Sequence, residues 1–183
     1  MHETSLNQTI QDYLTGKEIE LTSFEDIRQA LAKMLVEEKG YPRENIKAKQ
    51  KLSLSLENDK SFEILIDFII YDPQKKPLML LAFCPGEVAS FVRQYIAVAR
   101  LYDPFIPLVL VTDTKEAYLI QSADKKILQK GYYAIPTYSE LADLAQKAPS
   151  FKLDAKKQKA ETCLAHAYFA LTAGCCNSGQ CSK

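Results

Sequence analysis

The chain has 183 residues, of which 47% are hydrophobic and 25% charged, enough to bury one full-sized core and ordinary for a globular protein. Twenty-three basic residues balance twenty-three acidic ones. No global field therefore draws the chain onto nucleic acid or an anionic membrane, and such binding would have to come from a local patch.

The N-terminal "MHETSLNQTI" has neither the basic start nor the apolar run of a secretory signal, and no segment reaches bilayer-spanning length. The expected location is cytoplasmic, with no membrane partner. Thiols stay reduced there, so the five cysteines read as free thiols or metal ligands and not as a disulfide framework.

The first strong element is a helix. Ser23, with Asp26 three residues on, suits a capping arrangement, and Phe24, Ile27, Leu31, Met34 and Leu35 recur at helical spacing. Gly40 and Pro42 end it.

Strands follow. In "KLSLSLEND", Leu52, Leu54 and Leu56 alternate with polar residues, and Asn58-Asp59 supplies a turn. "SFEILIDFIIYD" places Phe62, Ile64, Ile66, Phe68 and Ile70 on one face, with Glu63, Leu65, Asp67 and Ile69 on the other. "PLMLLAFC" is apolar on both faces, as a central strand should be. Val88, Phe91, Tyr95, Val98 and Tyr102 mark a second helix, "FIPLVLVTD" and "EAYLIQSA" two more strands, and Ser139 caps a helix from Glu140 to Lys147.

The expected fold is α/β, a mixed central sheet flanked by helices, in the order helix, three strands, helix, two strands, helix. There is no glycine-rich phosphate loop, which argues against a doubly wound nucleotide fold. Residues 1–148 form the α/β domain. Residues 149–183 add a lysine-rich linker, a helix through "AETCLAHAYFALTAG", and the cysteine-rich end "CCNSGQCSK".

The run "DYLTGKEIELTSFEDIRQALAKMLVEEKGYPRENI", then "IDFIIYD", then "KPLMLL" resembles the N-terminal nuclease domain of type I restriction enzyme R subunits, within the PD-(D/E)XK superfamily. The likeness covers roughly residues 12 to 120. It implies a restriction-endonuclease-like core in which an Asp on the second core strand and a Glu-x-Lys on the third converge on magnesium. Two carboxylates hold a hard cation that activates water, and the lysine positions the nucleophile or offsets developing charge.

Carried over by position, the Asp is Asp67, the Glu falls on Ala82 and the Lys on Cys84. An Arg before the Asp corresponds to Leu65, and a Gln of the following helix to Phe91. The resemblance thus implies a degenerate site, with magnesium-dependent cleavage abolished or reduced by orders of magnitude. The alternative is a rearranged, Mg²⁺-dependent endonuclease in which Glu37, Glu38 or Glu87 replaces the missing carboxylate and Arg93 the lysine. Cys84 reads as a buried inert thiol, because His2 and His166, the two histidines, lie outside the core pattern.

Two further sets of residues carry chemistry. Lys47, Lys49, Lys51, Lys75 and Lys76 form a basic strip able to meet phosphates, or else a solvated surface. Cys163, His166, Cys175, Cys176 and Cys181 hold enough ligands for zinc or a four-cysteine iron–sulfur cluster, against the simpler reading of a reduced tail behind a docking helix. The expected function is a catalytically inactive nuclease-fold module that binds nucleic acid or protein, with DNA or other subunits of a restriction-modification system as partners. The alternatives are the rearranged nuclease and a metal or redox module built on the C-terminal cysteines.

Overall fold

The structure, a computed structural model, describes residues 4–56 and 61–174, without the side chains of 169 and 171–174. The Asn58-Asp59 turn and Cys175, Cys176 and Cys181 lie outside the described residues.

An antiparallel hairpin, β1 (Ser5–Gln11) and β2 (Glu18–Thr22), precedes the first helix, α1 (Glu25–Glu37). The hairpin went unread in the sequence because its strands are mostly exposed and lack an apolar alternation. Ser23 does not cap α1. Its hydroxyl accepts from the Thr4 amide, tying the hairpin shut, while the Glu25 amide donates to Thr22 Oγ1 at 3.1 Å. At the far end Gly40 adopts φ +71°, the left-handed turn that an L side chain resists, and the Tyr41 amide closes on the Leu35 carbonyl.

Six strands then form one mixed sheet in sequence order: β3 (Ile46–Ser55), β4 (Ser61–Tyr71), β5 (Pro77–Phe83), β6 (Leu108–Thr112), β7 (Ala117–Gln121) and β8 (Ile127–Lys130). Among the described strands only β5 and β6 pair in parallel, since α2 (Val88–Leu101) carries the chain across the sheet between them, and the other neighbours are antiparallel. The β8 edge is short and half-exposed, hence invisible to a reading based on apolar periodicity.

Each sheet face is covered. One core gathers Leu80, Ala82, Val109 and Val111 under α2 and the C-terminal α4 (Ala155–Gly174). The other gathers Met79, Leu81, Leu108 and Leu110 under α1 and α3 (Tyr138–Lys147). β5 contributes to both, as its unbroken apolar run requires. The cap of α3 is Thr137 and not Ser139: Thr137 Oγ1 accepts from the Glu140 amide, and the Glu140 carboxylate accepts from the Thr137 amide at 2.7 Å.

Helix α4 is docked, not trailing. Ala165 is fully buried in the α2 core. Arg100, itself buried on α2, donates from Nε to the Ser122 carbonyl at 2.7 Å and from Nη2 to the Ala123 carbonyl at 2.8 Å, and its remaining Nη1 meets Glu161 of α4. Phe151 lies under the same guanidinium, 4.6 Å from ring centre to Cζ. No helix among the described residues is long and apolar enough to cross a membrane.

Strand β4 departs from a single alternating face. Phe62, Ile64 and Ile66 enter the α2 core, but Phe68 and Ile70 enter the α1 core, with Ile69 now on the α2 side. β3 changes faces at the same level, Ile46 and Ala48 packing toward α1 and Leu52 and Leu54 toward α2. Lys49 sits between, at φ +51°. That left-handed residue interrupts the pleat of β3, and the ladder carries the change into β4.

Candidate functional site

Asp67 stands where β4 and β5 part. The paired residues run from Tyr71 and Pro77, through Ile70 and Met79, to Phe68 and Leu81. At the next step the Asp67 side chain, not a backbone carbonyl, takes the Phe83 amide, at 2.9 Å to Oδ2. The other carboxylate oxygen, Oδ1, accepts from Arg28 Nε of α1 at 2.7 Å. Both residues are buried, Asp67 at 8% exposure and Arg28 at 3%, so this is a desolvated, charge-assisted bond.

Arg28 also donates from Nη1 to Glu25 Oε2 at 2.6 Å, three residues back on the same helix. Glu25 is ion-paired in turn to Lys49 of β3 and accepts from Gln29 Nε2 at 2.8 Å, and Gln29 reaches Asp12 at 2.9 Å. The result is an alternating array across three elements: Lys49, Glu25, Arg28, Asp67. Lys49 adopts its strained backbone within this array, which is what aims its ammonium at a buried carboxylate.

Ala82 and Cys84 lie on the α2 side of the fork, both at 0% exposure and both in the α2 core with Val88 and Tyr95. Ala82 pairs with Val111, and the Cys84 amide donates to the Thr112 carbonyl at 2.8 Å. The Cys84 thiol donates to the Gly86 carbonyl at 3.4 Å. Burial, with the Asp113 and Asp67 carboxylates adding, pushes that thiol up to about 11, so it is no nucleophile near neutrality. Burial also pushes the Tyr95 phenol far above its ordinary range, with the negative charge of Asp67 adding to the effect.

Of the other two departures from the family pattern, Phe91 is half-buried against the α2 core, whereas Leu65 is 39% exposed on β4. Leu65 is thus not enclosed in the core that holds Ala82 and Cys84. Glu37 accepts from the Tyr13 hydroxyl at 3.1 Å, Glu38 lines a separate groove, Glu87 precedes α2 and Arg93 is exposed.

The chemistry open to this arrangement is limited by charge. Asp67 is one carboxylate, and a guanidinium already neutralises it at hydrogen-bond distance. A divalent cation there would meet Arg28 and gain no second acid from Ala82 or Cys84. Among the described residues, no group of three or more His, Cys, Asp or Glu side chains is placed to hold a metal ion. The donor set does not fit the magnesium that the sequence resemblance implied.

A cavity of about 530 Å³ opens beside Glu25, with Asp12, Arg43, Glu44, Lys47 and Lys49 among its walls. Asp67, Ala82 and Cys84 do not line it. Of the basic strip, Lys49 is held by Glu25, Lys51 donates to Glu63 at 3.1 Å, and Lys75 donates to the Glu44 carbonyl at 3.2 Å. Phosphates would have to compete with these acceptors. In the C-terminal set, Cys163 is exposed, while His166 packs edge-on against Phe62, ring centres 5.0 Å apart.

Sequence reasoning missed Glu25, Arg28 and Gln29. The signal was available: Arg28 falls three, four and seven residues before Leu31, Ala32 and Leu35, which makes it a charged residue on the buried stripe of α1. Ile27 and Met34, expected on the same face as Leu31 and Leu35, are only half-buried.

Residues 24–136 match the family described as type I restriction enzyme R protein N terminus, and the chain belongs to that family. No curated protein matches it. Among solved structures, the cryo-EM structure of a DrdV–DNA complex is similar at a TM-score of 0.41 and 10% identity, over 69% of this chain and 12% of that one. The chain thus spans a small part of that protein's length.

Proposed function

We propose that this chain is a PD-(D/E)XK-type nuclease domain that has lost catalysis and is retained as a module binding nucleic acid or protein. The observation that carries the reading is the state of the three motif positions. Ala82 and Cys84 are sealed in an apolar core, and the one remaining acid, Asp67, is bound by Arg28 and the Phe83 amide. An active site of this type keeps its acids reachable by metal and substrate. Here the polar groups satisfy one another instead, which is how a buried acid is accommodated once its metal is gone.

The test uses the full-length protein with labelled single- and double-stranded DNA, in Mg²⁺, in Mn²⁺ and in EDTA. The reading expects no metal-dependent cutting under any of these conditions. Cutting that requires a divalent ion and disappears in Asp67→Ala would overturn it. A band shift without cutting would assign the retained role to nucleic acid, and the absence of both would remove the nucleic-acid reading.

A further inference from the structure

The solvent side of α1 carries a second feature, separate from the charge array. Ile27, Ala30 and Met34 border a groove of about 370 Å³, Ala30 exposed and Ile27 and Met34 half-buried against the core beneath. Leu31, Tyr132 and Ile135, with the hydroxyl-bearing Thr112 and Thr114, complete its lining.

The ends of this apolar trough are acidic. Asp26 lines one end and Glu38 the other, twelve residues apart along α1, a separation of about 18 Å at the helical rise. No lysine or arginine is among its lining residues. Beside it Tyr132 is 54% exposed and Tyr133 90% exposed, their rings set edge to face. Gly131, at φ +98°, makes the turn that presents them. Exposed aromatics beside an apolar trough are the residues that anchor protein partners.

We propose that this groove docks a basic amphipathic helix of a partner protein. Apolar residues at helical spacing would cover Ile27, Ala30 and Met34, and lysines or arginines near both ends would meet Asp26 and Glu38. Acids at both ends admit either orientation of the incoming helix, and basic residues on it would find a carboxylate at each. The inference rests on the binding-module half of the proposed function and does not depend on the loss of catalysis.

The probe is a fluorescent helical peptide of about 18 residues, with Leu and Ala on one face and Lys near both ends, alongside a twin in which Glu replaces every Lys. Anisotropy with the full-length chain should show saturable binding of the Lys peptide and little of the Glu peptide. Asp26→Lys combined with Glu38→Lys should weaken the Lys peptide about tenfold or more and favour its twin. Ala30→Arg, an exposed helical position that tolerates arginine, should abolish binding of the Lys peptide while leaving the circular dichroism spectrum unchanged.

Equal binding of the two peptides, or binding unaffected by these variants, would overturn the inference. So would displacement of the peptide by duplex DNA, or a monomer–dimer equilibrium that Ala30→Arg abolishes, which would make a second copy the occupant. Cutting of DNA with peptide binding intact would remove only the inactive-nuclease reading. Failed peptide binding without cutting would remove only this one.

Discussion

Arg28 of α1 holds Asp67 of β4 at 2.7 Å, through Nε, while its Nη1 holds Glu25 at 2.6 Å. One guanidinium thus compensates two buried acids. Removing it should cost more than removing either acid, because both carboxylates would then be desolvated with less compensation. Arg28→Ala is expected to lose about 3–5 kcal/mol of unfolding free energy, and Asp67→Asn clearly less, since Arg28 keeps Glu25. Urea unfolding of the two variants checks the order.

Lys49 contributes in opposite directions. Its ammonium pairs with Glu25, but its backbone sits at φ +51°, where a side chain with a Cβ is strained by about 1 kcal/mol or more. Lys49→Ala loses the pair and keeps the strain, whereas Lys49→Gly loses the pair and relieves it. The glycine variant should therefore be the more stable of the two by about 1 kcal/mol, read from their urea midpoints at equal slope.

Cys84 supplies a pH dependence. Its thiol is raised from the ordinary 9 to about 11 by burial first, then by Asp113 and Asp67. The folded state therefore holds this proton more tightly than the unfolded state. The corresponding stability is fully present below pH 9 and lost as pH rises through about 11. Cys84→Ala should flatten that loss. In native protein at pH 8, iodoacetamide should modify exposed Cys163 and leave Cys84 untouched, as mapped by mass spectrometry.

Arg100 and Glu161 hold α4 to the core, through a bond that also organises the Ser122 and Ala123 carbonyls. Glu161→Ala leaves a buried guanidinium short of its counter-charge. The expected result is faster amide exchange through residues 155–168, with exchange in β5 and β6 unchanged. Uniform acceleration across the chain would show that α4 is part of one cooperative unit.

Much of the central sheet was legible because β4, β5 and β6 are buried, and burial writes itself into apolar periodicity. The N-terminal hairpin and β8 were not legible, because strands held mainly by backbone bonds leave weak side-chain signatures. The face change in β3 and β4 was hidden for another reason. It depends on a single left-handed lysine, and nothing in the alternation of "SFEILIDFIIYD" announces it. Asp67, Ala82 and Cys84 were singled out through the family resemblance, and they lie together at the end of the β4–β5 pairing. Arg28 was missed because a charge on a buried helix stripe was not sought there, although its spacing to Leu31 and Leu35 marks the position. The lysine strip illustrates the converse: spacing showed five neighbouring cations but not that Glu25, Glu63 and the Glu44 carbonyl hold three of them.

We propose that Arg28, by neutralising Asp67, closes the fork between β4 and β5 to a metal ion. Titrating Mn²⁺ into isotopically labelled full-length protein tests this directly, since a bound paramagnetic ion broadens nearby amide signals. The amides of Asp67, Ala82 and Phe83 should stay sharp while Mn²⁺ is raised into the millimolar range. Selective, saturable broadening at those three residues, reversed by Mg²⁺, would contradict the proposal.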